Sequence, residues 1–203
     1  MGDIPQSEPG AFEFILGSSR GGCENGLGAK DYAAMRRKAR SEGDQMTERI
    51  VKPLLVGPFQ SDARLALRSA LHPDPPQSAG GRLCFLVMGL DRDTYLRAFD
   101  RVDLCCPKWI LSIARGKAAQ LLAERGPRDV LVLCGTKVAT AFSLPLRPFT
   151  IYRGDGLPTL VVLPHPSGTS TEWLRPGSVE RARAVLREAG VLPVGGLERV
   201  TSR

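Results

Sequence analysis

The sequence is poor in several features that would restrict its location and chemistry. It has only two histidines, and aromatic residues make up 6% of the chain. No segment approaches the roughly eighteen uninterrupted apolar residues of a membrane span. The first ten residues, MGDIPQSEPG, lack the basic and then apolar pattern of a secretory signal. We therefore expect no membrane partner and a cytoplasmic location.

Motifs for metals and nucleotides are also missing. The five cysteines form an odd set without C-x-x-C spacing, and two of them end apparent core strands, so we expect buried free thiols and no metal or other cofactor. The glycine-rich stretch 17–28 contains neither a P-loop pattern nor a well-placed G-x-G-x-x-G. A nucleotide-binding enzyme is therefore disfavoured. The cysteines are Cys23, Cys84, Cys105, Cys106 and Cys134.

The size and charge of the chain suit a single basic domain. At 203 residues with 42% hydrophobic composition, we predict one domain over residues 1–203. The 28 basic residues exceed the 21 acidic ones and give a net charge of +7. Such an excess favours a polyanionic partner, or serves solubility alone. Charge by itself leaves both open.

Hydrophobic periodicity alternates between the strand and helix patterns. This alternation predicts an α/β fold, a three-layer α/β/α sandwich with a central, mainly parallel sheet. Residues 191–203 are predicted to form a loose tail. Strands are predicted at 12–16, 53–56, 101–104, 130–134 and 159–163, and helices at 29–41, 62–71, 80–90, 91–99, 110–125, 136–142 and 178–189.

Loops rich in Gly, Pro and Ser follow three of these strands, at 17–22, at 57–61 and around His165. Ligands of open parallel sheets bind beyond the carboxyl ends of the strands, so the three loops are expected to line one cleft. At His165, prolines on both sides fix the backbone and Gly168 permits close approach. An imidazole held there can donate a hydrogen bond to developing negative charge, which marks the turn as a candidate active site.

The turn at His165, with Trp173 and a terminal helix after it, resembles the second catalytic motif of the uracil-DNA glycosylase superfamily. The segment 54–62 (LLVGPFQSD) looks like the first motif of that family, and 99–105 (FDRVDLC) looks like its base-reading strand end. The segment 130–142 (VLVLCGTKVATAF) is similar to the strand and helix before the histidine motif. The likeness covers residues 50 to 190 and rests on the order of these segments. Residues 1–49 have no counterpart in it.

The resemblance implies a DNA glycosylase in which His165 stabilises the departing base of a flipped nucleotide. Gly57, Pro58, Phe59 and Gln60 would then form the base pocket, with Phe59 either stacking on the base or packing in the core. The first motif of the family commonly carries an early Asn or Asp that positions water, and Gly57 and Pro58 do not supply one. Asp62 is the nearest acid for that catalytic role. Its place also suits the N-cap of a following helix.

Asp103 stands where related sequences usually have an asparagine that reads the edge of the pyrimidine. An amide suits uracil because it both donates and accepts, whereas a carboxylate only accepts and therefore suits the amino group of cytosine. The expected substrate is a bulky 5-modified cytosine, such as glycosylated hydroxymethylcytosine in phage DNA, because excision of ordinary cytosine would destroy the genome of the host. The alternative for Asp103 is an ion pair with Arg101 or Lys108.

The resemblance further implies a monomer that binds DNA, as a duplex with a flipped nucleotide or as a single strand. No lysine in a matched motif position suggests Schiff-base chemistry, so a monofunctional, hydrolytic enzyme acting in anti-phage defence is expected. Repair of uracil or another deaminated base is the runner-up, and a non-catalytic DNA-binding module is the alternative from a different class. The residues expected to contact DNA are Ser61, Ser167, Gly168, Thr169, Ser170 and Arg175.

Overall fold

A computed structural model describes residues 51–59, 69, 71–105 and 108–193. The predicted strand at 12–16, the predicted helix at 29–41 and nearly all of the predicted helix at 62–71 lie outside these ranges. All other predicted elements fall within them.

The described strands form one mostly parallel sheet. Its five strands have the order β2-β1-β3-β5-β4, and only the edge strand β4 runs antiparallel, against β5. The prediction of an α/β fold with a mainly parallel sheet is confirmed. The strands are β1 (Leu54–Phe59), β2 (Asp100–Cys105), β3 (Val130–Cys134), β4 (Thr150–Tyr152) and β5 (Thr159–Leu163).

The helices agree with the predicted ones to within a few residues. The helix predicted at 80–90 differs, since a short α-helix continues into a π-helix that ends at Gly89, whose φ is +68°. A 3-10 helix after β5 was not predicted. The elements are α1 (Ala79–Gly81), the π-helix (Arg82–Met88), α2 (Arg92–Ala98), α3 (Leu111–Glu124), α4 (Thr136–Ala141), the 3-10 helix (Thr171–Leu174) and α5 (Ser178–Glu188).

Side chains that alternate along the strands enter two hydrophobic clusters. Leu55 of β1 belongs to a cluster that includes residues of the π-helix, α2 and α5. Leu54 and Val56, on either side of it, belong to a second cluster with residues of α3 and α4. Because side chains along a strand alternate between the two faces of a sheet, each face has its own apolar packing. The β-branched and leucine-rich runs predicted as buried strands therefore do fill the core.

The prediction of a loose tail from residue 191 is wrong for its first two residues. Val191 and Leu192 are 8% and 6% exposed and pack in the first cluster. Their backbone N–H groups donate to the carbonyl oxygen of Leu186, at 2.8 and 3.3 Å. Two aliphatic side chains gain more from this burial than the short segment loses in conformational entropy. Residues 194–203 lie outside the described residues.

None of the helices in the described ranges is both long and apolar enough to cross a lipid bilayer.

Candidate functional site

Four strands end at the same edge of the sheet. Gly57 of β1 pairs with Asp103 of β2, and Cys134 of β3 pairs with Leu163 of β5. The segments that follow β1, β2, β3 and β5 therefore leave the sheet side by side. This is the edge at which parallel sheets bind ligands, and it is where the sequence placed the candidate site.

His165 lies two residues beyond β5, in a turn that is fixed on both sides. The prolines before and after it, Pro164 and Pro166, are buried, while His165 is half-buried. Its carbonyl oxygen accepts a hydrogen bond of 2.8 Å from Nε1 of Trp173, which lies in the 3-10 helix. The indole ring also packs edge-on against Phe149, with ring centroids 5.8 Å apart. Trp173 therefore supports the histidine turn through its ring and through its N–H group.

Gly135 allows the imidazole to lie against the end of β3. Its φ is +109°, a backbone conformation that residues other than glycine rarely adopt. A Cβ atom on Gly135 would stand 3.0 Å from Cβ and 3.3 Å from Cδ2 of His165. The backbone of this strand-to-helix junction is thus in direct contact with the histidine, and a larger residue would push the ring away.

The His165 ring is accessible from two adjoining cavities. The smaller, with a volume of about 220 Å³, lies over the ends of β1, β3 and β5. It is smaller than the roughly 300–1,000 Å³ of sites for drug-sized ligands, so it suits a single small ring. The larger cavity, of about 370 Å³, shares Thr136 and His165 with it and extends along the turn at residues 167–172. The smaller cavity is lined by Pro58, Cys134, Gly135, Thr136, Lys137 and His165.

Burial, with a smaller effect from the positive charge of Lys137, lowers the pKa of His165 below its ordinary value near 6.5. Both causes disfavour the imidazolium ion. At neutral pH the ring is therefore uncharged, with one N–H group to donate and one nitrogen to accept. A neutral donor of this kind can stabilise an anion without itself carrying charge into the site.

No model of a known protein family matches this chain, and no curated protein matches it significantly.

Asp103 lies at the same edge of the sheet as His165, on the strand beyond β1. Its half-buried carboxylate accepts a hydrogen bond of 3.4 Å from Oγ of Ser69, and its carbonyl oxygen accepts one of 2.6 Å from Nζ of Lys117. A Cβ atom on Gly57 would come within 2.6 Å of Oδ1. The space beside Gly57 is thus occupied by Asp103 and offers no extra room for a base. Arg101, one of the two expected ion-pair partners, donates to the carbonyl oxygen of Phe99.

The other predicted base-pocket residues are only partly described. Pro58 lines the smaller cavity together with His165, and Gly57 is buried beside it. Of this group Pro58 lines the smaller of the two cavities with the histidine, and Asp103 lines neither of them. Gln60, Ser61, Asp62 and the side chain of Phe59 lie outside the described residues.

The residues predicted to contact DNA after the turn form a partly exposed loop. Ser167 and Thr169 share a hydrogen bond of 3.1 Å between their hydroxyl groups, and both line the larger cavity with Ser170. Gly168 is exposed and packs against the guanidinium of Arg82. Arg175 forms an ion pair of 3.2 Å with Glu172, but its side chain remains 65% exposed. The loop therefore presents hydroxyl groups and a cation beside His165.

Two residues near His165 were not predicted from the sequence as parts of the site. Gly135 was included only as part of a motif, although a glycine at a strand-to-helix junction is a signal for close backbone approach. Leu174 is 77% exposed at the end of the 3-10 helix, which is unusual for a leucine.

The described part of the chain holds no cluster of three or more His, Cys, Asp or Glu side chains that could bind a metal ion. Three of the predicted free thiols, Cys84, Cys105 and Cys134, are buried and free, as expected. Burial raises the pKa of Cys134 to about 12, and burial with the nearby charges of Asp91 and Asp74 does the same for Cys84. The thiols of Cys84 and Cys134 are therefore protonated at neutral pH. Cys23 and Cys106 lie outside the described residues.

Proposed function

We propose that this chain is a monofunctional DNA glycosylase, which flips a nucleotide out of DNA and hydrolyses the bond between base and sugar. The observation that carries the proposal is the position of His165. This residue follows a buried parallel strand, its backbone carbonyl group is held by Trp173, and its neutral imidazole lies against Gly135 and faces a cavity suited to one small ring. A hydrogen-bond donor in that position matches the need of a departing nucleobase for charge stabilisation.

The fold is consistent with this proposal. Two apolar clusters, one on each set of alternating strand residues, support a three-layer α/β/α arrangement of the kind found in the uracil-DNA glycosylase superfamily. The site lies at the carboxyl edge of the parallel strands, where that family also places its motifs. The net charge of +7 favours DNA as the partner.

The reaction breaks one bond and forms another. As the bond between C1′ of the deoxyribose and the base nitrogen breaks, its electron pair stays on the base, and the N–H of His165 donates to the oxygen that becomes negative. A water molecule attacks C1′, forms the new C–O bond and loses a proton, which ends on the departing base and leaves it neutral. We assign orientation of this water to Asp62. The products are the free base and an abasic site.

The substrate we favour is a bulky 5-modified cytosine, as in phage DNA carrying glycosylated hydroxymethylcytosine, with its pyrimidine ring in the smaller cavity and its 5-substituent in the adjoining larger one. Asp103 supports this choice because a carboxylate accepts hydrogen bonds and suits the exocyclic amino group of cytosine. The carbonyl oxygen of uracil at the same place would be repelled. We further propose that the enzyme acts as a cytoplasmic monomer in defence against phage.

Base release tests the proposal directly. Matched duplexes carrying one cytosine, one uracil or one glycosylated hydroxymethylcytosine are incubated with the protein and treated with alkali, which breaks the strand at abasic sites. We expect breaks in the glycosylated duplex, and a loss of about 10²–10³-fold in rate for His165→Ala. Breaks in the uracil duplex alone would reject the substrate and leave a repair glycosylase. Binding without any release, unaffected by His165→Ala, would identify a non-catalytic DNA-binding module.

The role of Asp103 has its own test. Asp103→Asn replaces an acceptor by a group that also donates, so we expect release to shift towards uracil. Ser69→Ala is the control, because it removes the described partner of the carboxylate and leaves its charge in place. Unchanged discrimination between cytosine-type and uracil substrates in Asp103→Asn would show that the residue does not read the base.

A further inference from the structure

Arg82 is the first residue of the π-helix, distant in sequence from the His165 turn, yet its side chain reaches that turn. A Cβ atom on Gly168 would stand 3.2 Å from Cζ of Arg82 and 3.3 Å from each of its two terminal nitrogens. Because all three atoms are almost equally distant, the flat guanidinium faces the backbone of Gly168. Only a glycine leaves room for this packing.

The guanidinium has no hydrogen bond or ion pair with any described residue. No described residue uses its donors, although the side chain is half-buried and held by Gly168. Arg183, which packs at the other end of the same π-helix, behaves differently: it donates to the carbonyl oxygens of Val87 and Leu86 at 2.8 and 3.1 Å. The two arginines thus have different roles, one closing the helix and the other facing the turn with donors that no described residue accepts.

The surroundings of Arg82 suit a phosphate group. Guanidinium binds phosphate through two parallel N–H bonds, and a guanidinium already fixed in place loses little entropy on binding. The hydroxyl groups of Ser167 and Thr169 flank Gly168 and add one more donor, because the other hydroxyl proton is used in the hydrogen bond between them. The nearest described acid on this loop, Glu172, is occupied by its ion pair with Arg175. The set offers several donors on both sides of one exposed glycine.

We propose that Arg82, packed on Gly168, is a binding site for a phosphodiester of the bound DNA. This inference rests on the proposed function in that it takes DNA as the ligand. It adds a contact from the π-helix, outside the motifs that suggested the function. Arg82 binds the backbone and does not read the base, so it acts on affinity for all sequences alike.

The test is the salt dependence of DNA binding. Fluorescence anisotropy measures the binding constant at several salt concentrations, on duplex and on single-stranded DNA that contain no target base. Arg82→Met is expected to weaken binding about tenfold, equivalent to about 1.4 kcal/mol. It should also reduce the slope of log K against log salt by about 0.9 for the duplex, the value for one lost phosphate contact. Arg82→Lys keeps the charge, so it should keep the slope and lose only part of the affinity.

Arg97→Met is the matched control. Arg97 is an exposed arginine in the last turn of α2, just before β2 begins, and therefore lies near the amino end of the strands, away from the His165 turn. It should change neither affinity nor slope beyond experimental scatter. Gly168→Ala provides a second variant, because its methyl group would displace the guanidinium and should weaken binding in the same direction as Arg82→Met. Thermal unfolding of each variant reports whether the fold is kept.

The outcomes separate this inference from the proposed function. Equal slopes for Arg82→Met, Arg97→Met and the unchanged protein overturn the phosphate site, whatever the enzyme does to bases. Release of a base with binding that does not depend on Arg82 overturns the inference alone. Binding that depends on Arg82 without any base release overturns the glycosylase activity and keeps the phosphate site.

Discussion

At the scale of single residues, the protonation of His165 depends on what surrounds the ring. Lys137 faces it from the first turn of α4 and shares the smaller cavity. Cys134, on the adjacent strand, is a neutral thiol at pH 7, and Glu172 lines the larger cavity with its charge paired to Arg175. Lys137 is thus the cation that, together with burial, disfavours a second positive charge on the imidazole.

Lys137→Gln should raise the pKa of His165, because one of the two effects that lower it is removed. The measurement is an NMR titration of the imidazole signals, which is simple in a chain with only two histidines, and His72→Gln assigns them. Lys137→Arg keeps the charge and serves as the control. An unchanged His165 pKa in Lys137→Gln would show that the lysine does not act on the ring.

The same shift predicts a pH dependence of stability. The pKa of His165 is lower in the folded than in the unfolded chain, so the unfolded state binds more protons as pH falls. The histidine therefore contributes stability above its unfolded pKa near 6.5, and this contribution is lost as pH falls from there through the folded pKa. Urea unfolding at several pH values measures the effect. His165→Gln should remove this part of the pH dependence, and an unaltered profile would contradict the prediction.

Gly135→Ala should displace the imidazole. The added methyl would stand 3.0 Å from Cβ of His165 on a residue with φ of +109°, so both the backbone and the ring are strained. We expect a loss of stability of about 1–3 kcal/mol, as for other small-to-large changes in tightly packed sites, and reduced base release. Gly116→Ala is the control, because nothing lies within 4 Å of its Cβ position in the middle of α3. Equal stability of the two variants would contradict the close packing of Gly135.

At the scale of elements, the 3-10 helix braces the turn that carries His165. Its Trp173 joins two segments, because the ring packs on Phe149 before β4 and the indole N–H bonds to the carbonyl oxygen of His165. The helix itself is held by Oγ of Ser178, which donates at 2.6 Å to the carbonyl oxygen of Glu172. The turn is thus positioned by Phe149, which precedes β5 in the chain, and by Ser178, which follows it.

Trp173→Phe should keep most of the ring packing while it removes the N–H donor. Loss of one hydrogen bond from a part-buried carbonyl group predicts a cost of about 1 kcal/mol in unfolding free energy. Because the bond ends on His165 itself, base release should fall by more than DNA binding does. Chemical unfolding and single-turnover release measure the two effects. A variant with normal release would show that the indole only fills space.

The elements differ in how well the sequence predicts them. Strands β3 and β5 were predicted with their observed bounds, because long apolar, β-branched runs leave few alternatives. Strand β4 has three residues and pairs with β5 alone, so it carries too short a pattern to be read. The π-helix has an apolar face like that of an α-helix, and periodicity does not separate the two over seven residues.

In the candidate site, too, local features could be predicted from the sequence and long-range contacts could not. The Pro-His-Pro sequence predicts a rigid turn, because each proline restricts the backbone at its own position whatever the rest of the fold. The contacts of Gly135 with His165 and of Arg82 with Gly168 join residues far apart in the chain, and they follow from strand order and helix placement. Sequence periodicity gives the elements but does not give the distances between them, so these contacts could be found only in the structure.

At the scale of the whole molecule, the segment after α5 completes one of the two cores. Val191 and Leu192 return to the cluster formed by the π-helix, α2 and α5, on the face of the sheet to which Leu163 also belongs. The end of the described chain is therefore part of the same packing that supports the strand leading to His165.

Leu192→Ala should destabilise the protein by about 2–4 kcal/mol, the usual cost of removing a buried leucine side chain. Val51→Ala is the control, because Val51 is 42% exposed and its truncation should change stability by less than about 0.5 kcal/mol. Denaturant unfolding of both variants gives the comparison. A neutral Leu192→Ala would mean that this segment does not pack in solution as described.

The contact between Gly135 and His165 has an evolutionary consequence. Neither position is free to vary alone, since a side chain at 135 would clash with the imidazole and the positive φ at 135 favours glycine. In related proteins that retain the histidine, the glycine should be retained as well. It should directly follow the apolar strand that pairs with the strand before the histidine. A lineage that has lost the glycine should also have replaced the histidine or rebuilt the junction.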